Sequence, residues 1–159
     1  MVKCYKKNYY RPQFVRESFI DLCGEWDFLF DDKKQGEKEK YYLNFPKETK
    51  KIIVPFSYET PNSKVFDEEH HEVVWYKKEV SFKRKDNERV IINFEGVDFI
   101  SKFWINGQFV GLNRGGHHRF SYDITDYLVE EKDNVLVVEC IDTIDASQPR
   151  GKQRWLKNS

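Results

Sequence analysis

The stretch Asp98 to Gly111 reads DFISKFWINGQFVG and constrains the fold more than any other part of the chain. Two apolar runs flank Asn106-Gly107, a dipeptide whose residues both tolerate the positive φ that a type I′ hairpin turn requires. A chain that reverses through two residues commits both flanking runs to antiparallel strands.

Similar signals recur along the sequence. Gly24-Glu25-Trp26-Asp27-Phe28-Leu29-Phe30 puts Trp26, Phe28 and Phe30 on one face by period two. Lys51-Ile52-Ile53-Val54-Pro55 is a short apolar strand closed by a proline that cannot donate to a ladder. Val73 to Phe82 places Tyr76, Val80 and Phe82 on one side, and Arg89 to Val97 aligns Val90, Ile92 and Phe94. Phe120 to Ile124 alternates again, while Asn134 to Asp142, NVLVVECID, suits a strand buried on both faces. Helix evidence reduces to one capped turn over Asp123 to Leu128, with Asp123 or Thr125 as N-cap. About seven or eight short strands with turns between them predict an all-β fold, a β-sandwich or jelly roll. An α/β fold is excluded, because nothing supplies crossover helices.

The aromatic content, 16% of 159 residues, suits pleated surfaces. That length predicts a single domain over 1–159. Lys plus Arg and Asp plus Glu are 27 each, which argues against a nucleic-acid partner and an anionic membrane surface. No apolar run is long enough for a transmembrane helix, and no apolar stretch follows the first lysines as a secretory signal would need. Cys4, Cys23 and Cys140 are scattered and odd in number, so they read as reduced thiols in a cytoplasmic protein, with Cys140 a core residue. Asp31 to Lys40, DDKKQGEKEK, reads as a solvated loop.

Places where chemistry could reside each have a plainer reading. His70-His71 and His117-His118 are adjacent pairs whose side chains would point to opposite faces of a strand, so surface or loop packing is expected and no metal site. The run Gly111 to His118 is glycine-rich, but no helix follows to complete a phosphate cradle; Gly115-Gly116 reads as a tight turn. Asp31-Asp32, Glu68-Glu69 and Glu130-Glu131 are neighbouring carboxylates in polar loops and read as solvated charge. No cofactor and no catalytic residue is expected within this chain.

The stretch after the last strand differs. It gathers donors at Arg150, Lys152, Gln153 and Arg154, acceptors at Asp142 and Asp145, and the ring of Trp155. Planar polar side chains beside an aromatic face suit hydroxyl-rich ligands such as sugars. A basic linker toward a further domain fits the same residues, and residue chemistry leaves both readings open.

Taken in order, these segments resemble the N-terminal sugar-binding domain of glycoside hydrolase family 2, the β-galactosidase and β-glucuronidase family. The resemblance runs through Arg11-Pro12, Leu22-Cys23-Gly24-Glu25-Trp26-Asp27-Phe28, Val54-Pro55 and Trp75-Tyr76. It continues through Asn106-Gly107-Gln108-Phe109-Val110-Gly111, Gly115-Gly116, Phe120-Ser121-Tyr122-Asp123-Ile124-Thr125, Asn134-Val135-Leu136-Val137-Val138 and Gln148-Pro149-Arg150-Gly151-Lys152-Gln153-Arg154-Trp155. Cys23 stands where the family usually has Asn, and Asn113 where it often has His.

The resemblance implies a galactose-binding-like jelly roll, with 143–159 a linker and subsite loop toward a second domain. It further implies a parent enzyme that is a retaining β-glycosidase and a homo-oligomer, with both catalytic glutamates on a barrel beyond these residues, so this polypeptide alone should be inactive. The Asn87-Glu88 pair, which resembles the family's acid dipeptide, lies in a polar turn and is read as coincidence. The implied partners are carbohydrate, a β-galactoside or β-glucuronide, and downstream domains. Substrate-binding residues on this reading are Asp145, Arg150, Lys152, Gln153 and Trp155. Gln153 stands where some β-galactosidases carry an acidic residue and brings no charge for a metal ion. Two other classes compete: a free-standing carbohydrate-binding module without hydrolytic activity, and a structural domain that packs on a partner.

Overall fold

The computed structural model describes residues 19–81, 87–130 and 132–144. Eight strands appear in chain order: β1 (Gly24–Phe30), β2 (Lys50–Val54), β3 (Val73–Val80), β4 (Ile91–Phe94), β5 (Ile100–Ile105), β6 (Gln108–Arg114), β7 (Phe120–Asp123) and β8 (Asn134–Ile141). Two single 3-10 turns, Pro61–Ser63 and Thr125–Tyr127, are the helical elements among the described residues. The strands form an antiparallel β-sandwich of the jelly-roll type. One sheet has six strands in the order β2-β1-β3-β8-β5-β6, and β4 pairs with β7 in the other.

The alternation read from sequence is the alternation observed. Trp26, Phe28, Phe103, Ile105, Leu136 and Val138 meet Ile92 and Ile124 in the core between the sheets, with Tyr76, Val80, Val90, Phe94 and Tyr122 packed around them. Phe82 lies outside the described residues. Phe94 and Phe120 are cross-strand partners on β4 and β7, stacked with centroids 4.8 Å apart, and Phe94 meets Phe103 of the facing sheet edge-on at 5.2 Å. β8 is buried along nearly its whole length because β3 and β5 flank it and both of its faces are covered.

The β5–β6 turn has φ of 50° at Asn106 and 78° at Gly107, as the dipeptide predicts. Asn106 also braces the turn against its neighbours. Its Nδ2 donates to Tyr127 O and to Asn134 Oδ1, each at 2.9 Å, and its Oδ1 accepts the Val135 amide at 2.9 Å. The end of the sandwich far from the chain's exit is thereby tied together.

Two expectations need correction. The 3-10 turn at Thr125 has Ile124, not Asp123 or Thr125, at its N-cap position, with no side-chain cap bond. Asp123 instead accepts the Thr125 amide at 3.0 Å and hydroxyl at 2.6 Å, an Asx-type bond two residues on. Larger in consequence, Asp31 is not solvated: it is 5% exposed. Its carboxylate accepts the amides of Gln35 (2.9 Å) and Gly36 (2.8 Å) and the Trp75 indole N–H (3.2 Å). A buried carboxylate needs that many donors to replace lost water.

The loop beginning there lies on the outer face of the six-stranded sheet, where Tyr41, Tyr42 and Phe45 pack on Val73, Trp75, Trp104 and Val137. A Cβ on Gly36 would lie 2.5 Å from the Trp75 ring, so only glycine fits there. Lys102 pins the loop from the sheet side, pairing with Glu37 of the loop and with Glu139 of β8. Glu139 is 4% exposed, and its Oε2 sits 2.9 Å from Lys102 Nζ, within ion-pair range though off hydrogen-bond angle.

Candidate functional site

The antiparallel order gathers the end of β1, the start of β3, the end of β8, the start of β5 and the end of β6 at one end of the sandwich. The chain leaves the sheet there. The Asp142 amide donates to Glu72 O at 2.8 Å, the Phe99 amide to Ile141 O at 3.3 Å, and the Gly115 amide to Phe99 O at 2.7 Å. The sequence-predicted site begins directly beyond Ile144. Asp145, Arg150, Lys152, Gln153 and Trp155 all lie outside the described residues. What the structure places is the rim from which they depart.

Three loops form that rim. In the first, 55–72, the hydroxyl of fully buried Ser63 accepts the amides of Val65 (3.0 Å) and Phe66 (3.4 Å) and donates to Thr60 O at 2.8 Å. Lys64 and Phe66 both take left-handed conformations, with φ of 68° and 49°. The Asp67 amide donates to Tyr58 O at 3.1 Å and closes the loop.

The second and third loops, 95–99 and 115–119, abut. Gly115 has φ 114°, the tight turn that the sequence suggested. Gly116 is constrained differently: a Cβ there would come within 2.4 Å of the Asp98 carboxylate. A Cβ on Gly96 would meet Gly116 O at 2.7 Å. The Arg114 guanidinium lies over the Phe99 ring at 5.4 Å. His118 Nε2 is 3.0 Å from Asn113 Oδ1.

The His71 side chain is largely enclosed in the rim. Its ring stacks on Phe30 at 3.6 Å, Nδ1 lies 2.7 Å from Asp32 Oδ1, and Nε2 lies 3.7 Å from Asp67 Oδ1. Sequence reasoning gave it only loop packing, and packing is its arrangement here. The Asp67 carboxyl is held below its ordinary value, first by the Glu69 amide and further by His71 and Lys50. Burial raises the Tyr58 phenol, against the His71 amide that donates to it. Burial also pushes the Cys140 thiol well up, which leaves it inert. Among the described residues no group of three His, Cys, Asp or Glu could hold a metal ion. An open groove lined by Phe28, Leu29, Phe30, Glu48, Thr49 and Lys50 runs beside the rim along the β1–β2 edge. Polar side chains around Phe30 and Phe99 suit contact with a hydroxyl-rich ligand or with another polypeptide surface.

Comparison with known proteins gives this geometry a lineage. The model for the sugar binding domain of family 2 glycosyl hydrolases matches residues 19–155. A β-galactosidase of Bacteroides ovatus is 37% identical over 142 residues, covering 85% of this chain and 16% of that protein. A β-galactosidase of Thermoanaerobacter pseudethanolicus is 30% identical over 112 residues, covering 69% of this chain and 14% of that protein. The solved β-glucuronidase of an uncultured Clostridium superposes with a TM-score of 0.67 at 26% identity, covering 78% of this chain and 22% of that one. That of Lactobacillus rhamnosus gives 0.70 at 22% identity over 78% of this chain and 21% of that one, a likeness of fold. The chain thus spans about a sixth or less of the curated relatives it matches. It belongs to the family 2 glycosyl hydrolases, as their sugar binding domain.

Proposed function

We propose that this domain is the sugar-binding part of a longer β-glycosidase of β-galactosidase or β-glucuronidase type, hydrolysing a β-glycosidic bond with retention through a covalent glycosyl-enzyme. The observation that carries the reading is the family match over residues 19–155, combined with the 14% and 16% shares of the relatives' length. In that reading both catalytic glutamates sit on polypeptide beyond these residues. The domain's share is architecture plus one wall of the substrate subsite, lined by Asp145, Arg150, Lys152, Gln153 and Trp155. Supporting this, the chain exits on a rim of polar and aromatic side chains. Downstream domains and carbohydrate are the partners, the complete enzyme works as a homo-oligomer, and the compartment is the cytoplasm.

The test uses the complete polypeptide. Trp155→Ala should lower kcat/KM for an aryl β-galactoside or β-glucuronide about tenfold, the loss of one aromatic contact in the transition state. An unchanged kcat/KM removes the subsite role. Glycosidase turnover by the 159-residue chain alone would overturn the division of labour.

A further inference from the structure

The β5–β6 turn holds the one Asn-Gly pair in the 159 residues. Asparagine followed by glycine is open to self-modification, because glycine has no side chain to keep its nitrogen from the preceding carboxamide. In that reaction the Gly107 nitrogen attacks Asn106 Cγ and gives its proton to water. The Cγ–Nδ2 bond breaks and ammonia leaves. Water then opens the cyclic imide at either carbonyl, and an aspartate or an isoaspartate remains. Water is the sole co-reactant, and nothing is oxidised or reduced.

The fold opposes the first step. Both hydrogens of Asn106 Nδ2 are committed, to Tyr127 O and Asn134 Oδ1, and Oδ1 accepts the Val135 amide, each at 2.9 Å. Swinging the carboxamide onto the Gly107 nitrogen breaks all three bonds. The backbone is held as well. The Asn106 amide donates to Val135 O at 2.9 Å, and the Leu43 side chain lies where a Cβ on Gly107 would go.

The same network has no place for the product. Asn134 is fully buried. Its Oδ1 accepts the Val129 amide at 2.7 Å, and its Nδ2 donates to Val129 O at 3.0 Å and Lys132 O at 3.2 Å. A backbone N–H only donates, so the Val129 bond fixes which end of Asn134 faces Asn106, and it is the acceptor end. A carboxylate at 106 would set an oxygen with no proton against Asn134 Oδ1 and Tyr127 O. Three acceptors would then meet with no donor between them. An isoaspartate would also add a carbon to the backbone inside a two-residue turn.

We propose that Asn106 is a modification site gated by the β5–β6 turn. It is protected while the turn is closed, converted to aspartate or isoaspartate when the turn opens, and unable to rebuild the closed turn afterwards. Opening thus becomes a one-way event that marks the chains in which it has occurred. The site is at the end of the sandwich away from the rim, so the inference stands apart from the sugar-binding role.

The test is incubation of the 159-residue chain at mildly alkaline pH, with the peptide around Asn106 read by mass for exchange of –NH2 for –OH. Modification follows the population of the open form. The rate in urea that unfolds the chain should exceed the native rate at least ~tenfold. Asn134→Ala, shown to be folded by circular dichroism, should raise the native rate about tenfold by freeing the carboxamide. If that variant does not fold, a urea series on the unaltered chain takes its place, and the rate must climb with the open fraction. Asn106→Asp should lower the thermal midpoint by roughly 5 °C. Asn44→Asp, the same charge change at an exposed position, should leave it in place. Equal rates in native buffer and in urea would remove the gate, as would an unchanged rate in folded Asn134→Ala. Equal midpoints for Asn106→Asp and Asn44→Asp would remove the acceptor conflict and with it the one-way step. Any of these results overturns the proposal.

Discussion

The inner face of the six-stranded sheet meets β4 and β7 through Phe28, Phe103 and Val138, strand against strand. The outer face carries Trp75, Trp104 and Val137 and meets a loop. Both faces bury large rings: Trp75 and Trp104 lie 5.4 Å apart, and Tyr42 stacks on Trp104 at 5.2 Å. The difference is in what holds the cover down. β4 and β7 bring their own ladder, so apolar packing suffices. The loop has no ladder with the sheet it covers. It is held by the donors converging on Asp31 and by Lys102 between Glu37 and Glu139. A loop can act as a layer of a sandwich when specific polar bonds replace the strand pairing it lacks.

The largest effect should come from the inner face. Phe28 is fully buried and meets Phe30, Tyr58 and Tyr76. Phe28→Ala should cost about 3–5 kcal/mol in denaturant unfolding. Asp31→Ala should cost less, about 3 kcal/mol, by stranding buried donors. The sharper readout is amide exchange: Asp31→Ala should lose protection at Gln35, Gly36 and Tyr41 while β8 keeps its own. Phe28→Ala should lower protection throughout. If Asp31→Ala loosens β8 as much as the loop, the two faces are one cooperative unit and the comparison fails.

The inner layer was legible because it is written in period two. Trp26, Phe28 and Phe30, or Val90, Ile92 and Phe94, announce one face each, and Asn106-Gly107 fixes its turn by conformation alone. The outer layer was hidden by composition. DDKKQGEKEK has the charge density of a solvated loop, and nothing in that run marks Asp31 as buried or Gly36 as lying against an indole. A signal was present elsewhere. Val73-Val74-Trp75 and Trp104-Ile105 are apolar at consecutive positions, which demands cover on both faces of the sheet. Tyr41, Tyr42 and Phe45, just past the charge run, were available to provide it. On the candidate site, sequence chemistry pointed at the stretch beyond Ile144. The rim beside it was not legible, because the turn at Phe66 depends on Ser63 and on two left-handed residues that no periodicity encodes.

The smallest effect is a slope in pH, and it belongs to the outer face. Burial raises the Glu139 carboxyl above its ordinary 4.5, and pairing with Lys102 offsets only part of this. The folded state therefore holds that proton more tightly than the unfolded chain does. Stability contributed there is full below 4.5 and declines as pH rises through the raised value. Asp123 acts oppositely. Hydrogen bonds from the Thr125 hydroxyl and amide, with Arg89, lower its carboxyl to about 2, so its contribution is present above 3.8 and is lost as pH falls. Glu139→Gln should flatten the decline in urea midpoint just above pH 4.5 and leave the acid limb of Asp123 intact. Asp31→Ala should flatten the same decline, because it removes a negative charge that helps raise Glu139 and because a loop that lifts off lets water reach the carboxylate. Phe28→Ala should shift the whole profile downward and keep its shape. A decline that survives Asp31→Ala would mean that β3, β5 and β8 bury Glu139 by themselves, and the loop would then be a passenger on the outer face rather than its cover.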